Sequence, residues 1–197
     1  LSIEDSRFYE HPGIDPIGIM RAGVVWLTTG QMRQGASTIT QQVARNFFLS
    51  REKTILRKVK EVFLAWHIEK ELSKDEILEL YLNKIPLGYR AFGVGAAAQV
   101  YYGKPVDQLT LGQIAVIAGL PKAPSMLNPI RSPQRALARR NLVLARMLQL
   151  GMIKQNEYQQ AVAEPIITHY HGTDVGLDAP YLAEMVRKFM LDKYGEE

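Results

Sequence analysis

Four short segments within the first 83 residues carry most of the chemistry this chain offers. The first is Glu4-Asp5-Ser6-Arg7-Phe8-Tyr9-Glu10-His11-Pro12-Gly13. Adjacent carboxylates beside Arg7 and His11 supply the parts for acid–base work, and a carboxyl group flanked by aromatic rings is pushed towards the range a general base needs. The second, Gly35-Ala36-Ser37-Thr38-Ile39-Thr40-Gln41-Gln42, sets a glycine, three hydroxyls and two amides at a loop-to-helix junction. Free backbone N–H groups at a helix start receive anionic oxygens. The third, Arg57-Lys58-Val59-Lys60-Glu61, places Arg57 and Glu61 on one helix face, with Lys53 one turn earlier. Such a cationic stripe suits a pyrophosphate. The fourth, Lys74 to Asn83, is mainly a packing helix through Ile77, Leu78, Tyr81 and Leu82.

Taken singly, each segment also has a plain structural reading: a helix cap, a Ser/Thr N-cap, an ion-paired solvated face, a core helix. His169 and His171 alternate across Tyr170 without a carboxylate nearby, a poor metal site. No Walker loop, zincin motif or nucleophile elbow is present.

The elements that must position these groups read as helices. Apolar spacing predicts helices over 15–28, stopped by Gly30, and from Thr38 to about Phe48 after a loop at 31–37. The strongest periodicity lies in 53–72, where Ile55, Leu56, Val59, Val62, Phe63 and Trp66 recur at helical spacing opposite Lys53, Arg57, Lys60 and Glu61. Ser73 with Glu76 and Thr110 with Gln113 read as capping boxes for helices at 74–83 and before Pro121. The glycine-rich stretch 84–109 reads as irregular. Ser132 and Pro133 open a long Arg-rich helix ending at Gly151, followed by a short helix at 155–163, a looped 166–180 and a last helix at 181–194. No alternating strand pattern appears, so the fold class is mainly α.

The chain has 197 residues, 47% hydrophobic and 22% charged, with a net charge of +4 and no cysteine. These values fit a single domain with a real core, favour anionic partners weakly, and exclude disulfides and thiolate metal sites. No run of 18 apolar residues is present. Leu1 is not an initiator methionine and the first motif starts at Glu4, so a piece of a longer chain with an upstream anchor is expected. The arginines at 131, 135, 139, 140 and 146 raise the alternative of a nucleic-acid binder, but the aromatics that such a basic face interleaves are missing.

In this order the four segments resemble the motifs of the peptidoglycan glycosyltransferases, family 51 of the carbohydrate enzymes. The family pattern E-D-x-x-F-x-x-H-x-G matches Glu4 to Gly13, G-x-S-T-I-T-Q-Q matches Gly35 to Gln42, R-K-x-x-E matches Arg57 to Glu61, and K-x-x-I-L-x-x-Y-L-N matches Lys74 to Asn83. Residues 88–104 are similar to a fifth motif, with Pro86 and Gly95 departing from the usual aromatic and Glu. Residues 109–129 and 179–190 are similar to bifunctional class A penicillin-binding proteins of the 1a type.

The resemblance implies a lysozyme-like helical core lobe with a smaller membrane-facing lobe drawn from about 15–60. The glycosyltransferase domain would fill 1–172, and 173–197 would begin a linker to a penicillin-sensitive transpeptidase outside this sequence. It implies that Glu4 is the general base and Glu61 a second functional carboxylate. Asp5, Phe8, His11, Gly35, Ser37, Thr38, Gln41, Gln42, Arg45, Lys53, Arg57, Lys58 and Asn83 would bind substrate. The donor would be a glycan on undecaprenyl pyrophosphate and the acceptor lipid II, joined with inversion into a β-1,4 bond. No tightly bound cofactor and no protein metal site are implied, although a divalent cation (Mg or Mn) stands as a candidate requirement. The location implied is the outer side of a bacterial inner membrane, with no nucleic-acid partner. A lysozyme-type hydrolase is the rival, but a hydrolase must protonate a poor alkoxide leaving group, whereas pyrophosphate needs charge neutralisation, which the cations supply. Ile19, Met20, Val24, Val25, Trp26 and Leu27, with Phe47 and Phe48, form either ordinary core or a face that dips into the bilayer.

Overall fold

The computed structural model describes residues 1–30, 37–49, 54–172, 184–185, 188–190 and 193, without the side chains of Trp26 and Thr29. Gly35, Lys53 and the expected loop at 31–36 therefore lie outside the described residues, as does most of the helix expected at 181–194. The described positions of that last stretch are helical.

Eight α-helices follow in order among the described residues: α1 Pro16–Thr29, α2 Ile39–Phe48, α3 Ile55–Glu71, α4 Lys74–Lys84, α5 Val94–Tyr102, α6 Leu111–Gly119, α7 Pro133–Gln149 and α8 Gln155–Ala163. Among the described residues no strand accompanies them, only an isolated bridge between Pro86 and Phe92. The caps read from sequence form. Ser73 accepts from the Glu76 amide while Glu76 reaches back, and Thr110 and Gln113 do the same. Ser132 holds the position before α7, but its side chain makes no capping bond.

Two features differ from the sequence reading. Residues 94–102, expected to be irregular, form α5, because the run Gly95 to Ala98 carries little side-chain entropy and is bounded by Gly93 (φ +83°) and a left-handed Gly103 (φ +63°). The apolar stripe of α3 does not face the core. Ile55, Leu56, Val59, Phe63 and Trp66 are exposed, whereas Glu61, Ala65 and Ile68 are buried.

Two apolar clusters organise the molecule. The larger joins α2, α4 and α5 through Ile39, Val43, Ile77, Tyr81, Ala97 and Tyr101, together with Phe8. The smaller joins α6, α7 and α8 through Ala115, Val143, Leu144 and Ala161, with Ile3 packed against it. The first segment thus crosses the seam: Ile3 binds one cluster and Phe8 the other, which leaves Glu4 between them.

Candidate active site

The seam opens as a cleft of about 640 Å³ lined by segment 2–6, by Asp15, Gly18 and Arg21, by Ser37, Thr38, Gln42 and Arg45 of the α2 region, and by Pro121, Lys122, Arg139 and Arg146 among others. Three carboxylates reach it, and their commitments differ. Asp5 is buried, 3.0 Å from His11 Nε2, and accepts the Ile39 N–H at 3.0 Å, an amide of the α2 start. Asp15 accepts from Arg7 at 3.0 Å. Among the described residues the Glu4 side chain accepts two hydrogen bonds, both long at 3.4 Å, from Gln42 Nε2 and Arg139 Nη2. It is therefore the cleft carboxylate freest to accept a proton.

Five cations share the walls: Arg21, Arg45, Lys122, Arg139 and Arg146. None of these lies within the four motifs, and only Arg45 was among the expected substrate-binding residues. Arg139 comes from α7, 135 positions after Glu4, yet its guanidinium meets that carboxylate and donates to Gly119 O at 3.3 Å. Burial pulls this guanidinium below its ordinary value and Glu4 pulls it back up. In the sequence Arg139 stood out only as one of the arginines that raised the nucleic-acid-binding alternative.

The remaining expected site residues divide by depth. Ser37, Thr38, Gln42 and Arg45 line the cleft with Glu4 and Asp5. Thr38 also donates to Gly13 O at 2.6 Å and caps α2, with Gln41 completing the capping box. Phe8, His11 and Gln41 are buried beneath the cleft and do not line it. Phe8 packs in the larger apolar cluster, His11 pairs with Asp5, and Gln41 caps α2. Asn83 is exposed and is not among the residues lining the cleft; its carbonyl lies against Gly93.

Glu61 is almost wholly buried, held by Arg57 Nη1 and by Lys58 Nζ at 2.9 Å. Neither cation lines the Glu4 cleft directly, but Lys58 Nζ donates to the cleft residue Ser37 at 2.8 Å. Glu61 thus organises the cations of its own helix. No group of three or more His, Cys, Asp or Glu side chains that could hold a metal ion converges among the described residues, and Glu61 is committed to Arg57 and Lys58.

One further residue ties the support together. Lys74 Nζ donates to His11 O at 2.6 Å and to Glu69 at 2.7 Å, and sits 4.6 Å above the Phe8 ring. Glu69 also accepts from Thr40. The fourth motif is therefore a clamp on the first.

Comparison with known proteins agrees with this geometry. The family model described as Transglycosylase matches residues 1–148. The chain is 64% identical over 196 residues to penicillin-binding protein 1A of Escherichia coli, covering 100% of this chain and 23% of the relative. It is 54% identical over 197 residues to penicillin-binding protein 1A of Pseudomonas aeruginosa, again the whole chain and 24% of the relative. A crystal structure of penicillin-binding protein 1A from Haemophilus influenzae superposes with a TM-score of 0.55 at 43% identity, over 81% of this chain and 20% of that one. The chain thus spans about a quarter of the length of the curated relatives it matches.

Proposed function

The chain belongs to the transglycosylase family, and from that premise we propose that it polymerises lipid II into β-1,4-linked glycan strands, with inversion and release of undecaprenyl pyrophosphate. The observation that carries this reading is a single loosely held carboxylate, Glu4, set among five cations on one cleft. Glu4 takes the proton from the acceptor sugar's 4-hydroxyl as that oxygen attacks the donor's anomeric carbon. The C–O bond to the pyrophosphate breaks, and its electron pair leaves on an anion that needs charge neutralisation rather than a proton. Arg21, Arg45, Lys122, Arg139 and Arg146 supply that charge. Gln42 and Arg139 orient Glu4.

Inversion needs one base on the face opposite the leaving group. A lysozyme-type hydrolysis needs a second, protonated carboxyl group. The other cleft carboxylates, Asp5 and Asp15, are tied to His11 and Arg7, which disfavours that route.

Exposed Met20, Val24 and Leu27 of α1, Phe47 and Phe48 of α2, and Leu56, Phe63 and Trp66 of α3 support a membrane interface that presents the lipid-linked substrates to the cleft. No helix among the described residues is long and apolar enough to cross a membrane. For the whole protein, the name and greater length of the relatives support a further, penicillin-sensitive transpeptidase domain, and the exposed apolar residues of α1 to α3 support a place at the membrane surface.

The test is polymerisation of lipid II by Glu4→Gln. That substitution keeps size and hydrogen bonding but cannot accept the proton, and turnover falls about 10²- to 10⁴-fold. Turnover near that of the parent removes Glu4 from the role.

A further inference from the structure

The chain reverses between Pro86 and Phe92 through three successive positive φ angles, +88° at Gly88, +47° at Tyr89 and +58° at Arg90. Only the first of these suits its residue. Left-handed backbone is taken freely by Gly and tolerated by Asn or Asp, and it strains residues with large side chains. Yet a tyrosine and an arginine occupy the next two places, both exposed, and Arg90 makes no ion pair among the described residues.

What holds the strained turn is rigid. Leu87 N donates to Ala91 O at 2.9 Å and Gly93 N to Ile85 O at 2.8 Å. Below it the fully buried Tyr101 donates to Leu87 O at 2.7 Å and accepts from Asn128 Nδ2 at 3.1 Å. From the other side, His171 N bonds to Val100 O at 2.9 Å and so pins the stretch that carries Tyr170. The Tyr89 and Tyr170 rings meet at 5.0 Å between centroids, tilted by 46°, with Tyr170 59% exposed. The result is an exposed pair of rings, with the exposed Arg90 next to Tyr89 in the chain.

The turn packs on the segment that follows the cleft wall. Lys122 lines the cleft, and two residues on, the carbonyl of Pro124 lies 3.3 Å from where a Cβ would stand at Gly88. Two residues span at most about 7 Å, so the turn begins close to the cleft wall.

We propose that Tyr89, Tyr170 and Arg90 form an outer sugar-binding subsite that holds the glycan strand made in the cleft. This rests on the polymerase reading above. A pyranose ring offers an apolar C–H face, which a tyrosine ring covers at low entropic cost, and a hydroxyl rim, which a guanidinium donates to. An open platform also suits a polymer that must pass, where a closed pocket would stop it.

The test uses Tyr89→Gly and Tyr170→Ala. Glycine relieves the φ at position 89, so the first variant keeps its fold while losing a ring. Binding of lipid-free N-acetylglucosamine–N-acetylmuramate oligomers, read by calorimetry, weakens about 3- to 10-fold in each variant. During lipid II polymerisation the strands shorten while the rate of forming the first bond stays at the parent's. Unchanged oligomer affinity and strand length overturn the proposal. So does resistance of both rings to tetranitromethane in the glycan-free full-length protein, which would assign the platform to a protein contact. The binding arm involves no turnover, so it fails or succeeds independently of Glu4→Gln.

Discussion

Replacing Arg139 by methionine tests the site where it departs most from the sequence motifs. The guanidinium lies 3.4 Å from Glu4, with side chains 10% and 18% exposed. Coulomb attraction at that separation is about 5 kcal/mol for an effective dielectric near 20 and about 1 kcal/mol in bulk water. The pair sits between these limits, because cleft solvent reaches Glu4 and the contact is long for a hydrogen bond. A loss of about 1.5 to 3 kcal/mol of transition-state stabilisation is the working value, which corresponds to a fall of roughly 10- to 150-fold in kcat/KM. Methionine keeps the aliphatic stem that packs on Gly119, so the melting temperature stays close to the parent's. Lipid II polymerisation under steady-state conditions separates the two ways Arg139 acts. If it orients Glu4, kcat carries the loss; if it neutralises substrate charge, KM carries it as well. Gly119→Ala is the companion: a Cβ there would stand 2.8 Å from Arg139 Cγ, so the arginine must shift and activity falls without loss of charge. Turnover within twofold of the parent in Arg139→Met would refute the assignment.

Three other outcomes are expected. Glu61→Gln leaves Arg57 and Lys58 without their buried counter-charge and lowers stability by about 3 kcal/mol in urea unfolding, a value kept at the low end because Lys58 is 45% exposed; an unchanged midpoint contradicts it. Burial pushes the Tyr101 hydroxyl up to about 12, against about 10 in the unfolded chain. The fold therefore favours the protonated form, and the associated stability is complete below pH 10 and is lost as pH rises towards 12. Thermal melts of Tyr101→Phe should show a shallower alkaline decline than the parent, starting from a lower neutral value because Leu87 O and Asn128 lose a partner. Leu27→Glu combined with Phe63→Glu, both at exposed positions, should cut co-sedimentation with anionic phospholipid vesicles at least about tenfold; retention at the parent's level counts against the interface.

Local chemistry made much of this molecule legible in its sequence. Capping signals at Ser73 and Thr110, the Gly30 stop and the Pro133 start mark helix ends by bonds made within a few residues, and the helices form where they say. The order of the four motifs identified the family for the same reason: each is a short contiguous string. Local signals failed where small residues were read as irregular, since Gly95 to Ala98 build α5 once flanking glycines let the chain enter and leave it.

Burial and partnership were decided only in three dimensions. Periodicity found the apolar stripe of α3 but not its direction; the packing of α2 against the other face buries Glu61 and Ala65 and leaves Phe63 and Trp66 exposed. The sequence does not show that Phe8 and His11 are buried while Asp5 lines the cleft and accepts the Ile39 N–H. Arg139 lay beyond any motif because its partner is 135 residues away. Sequence periodicity encodes which side chains share a face. Which face meets another helix, and which distant charge then closes on Glu4, depends on the two clusters packing with the first segment across their seam.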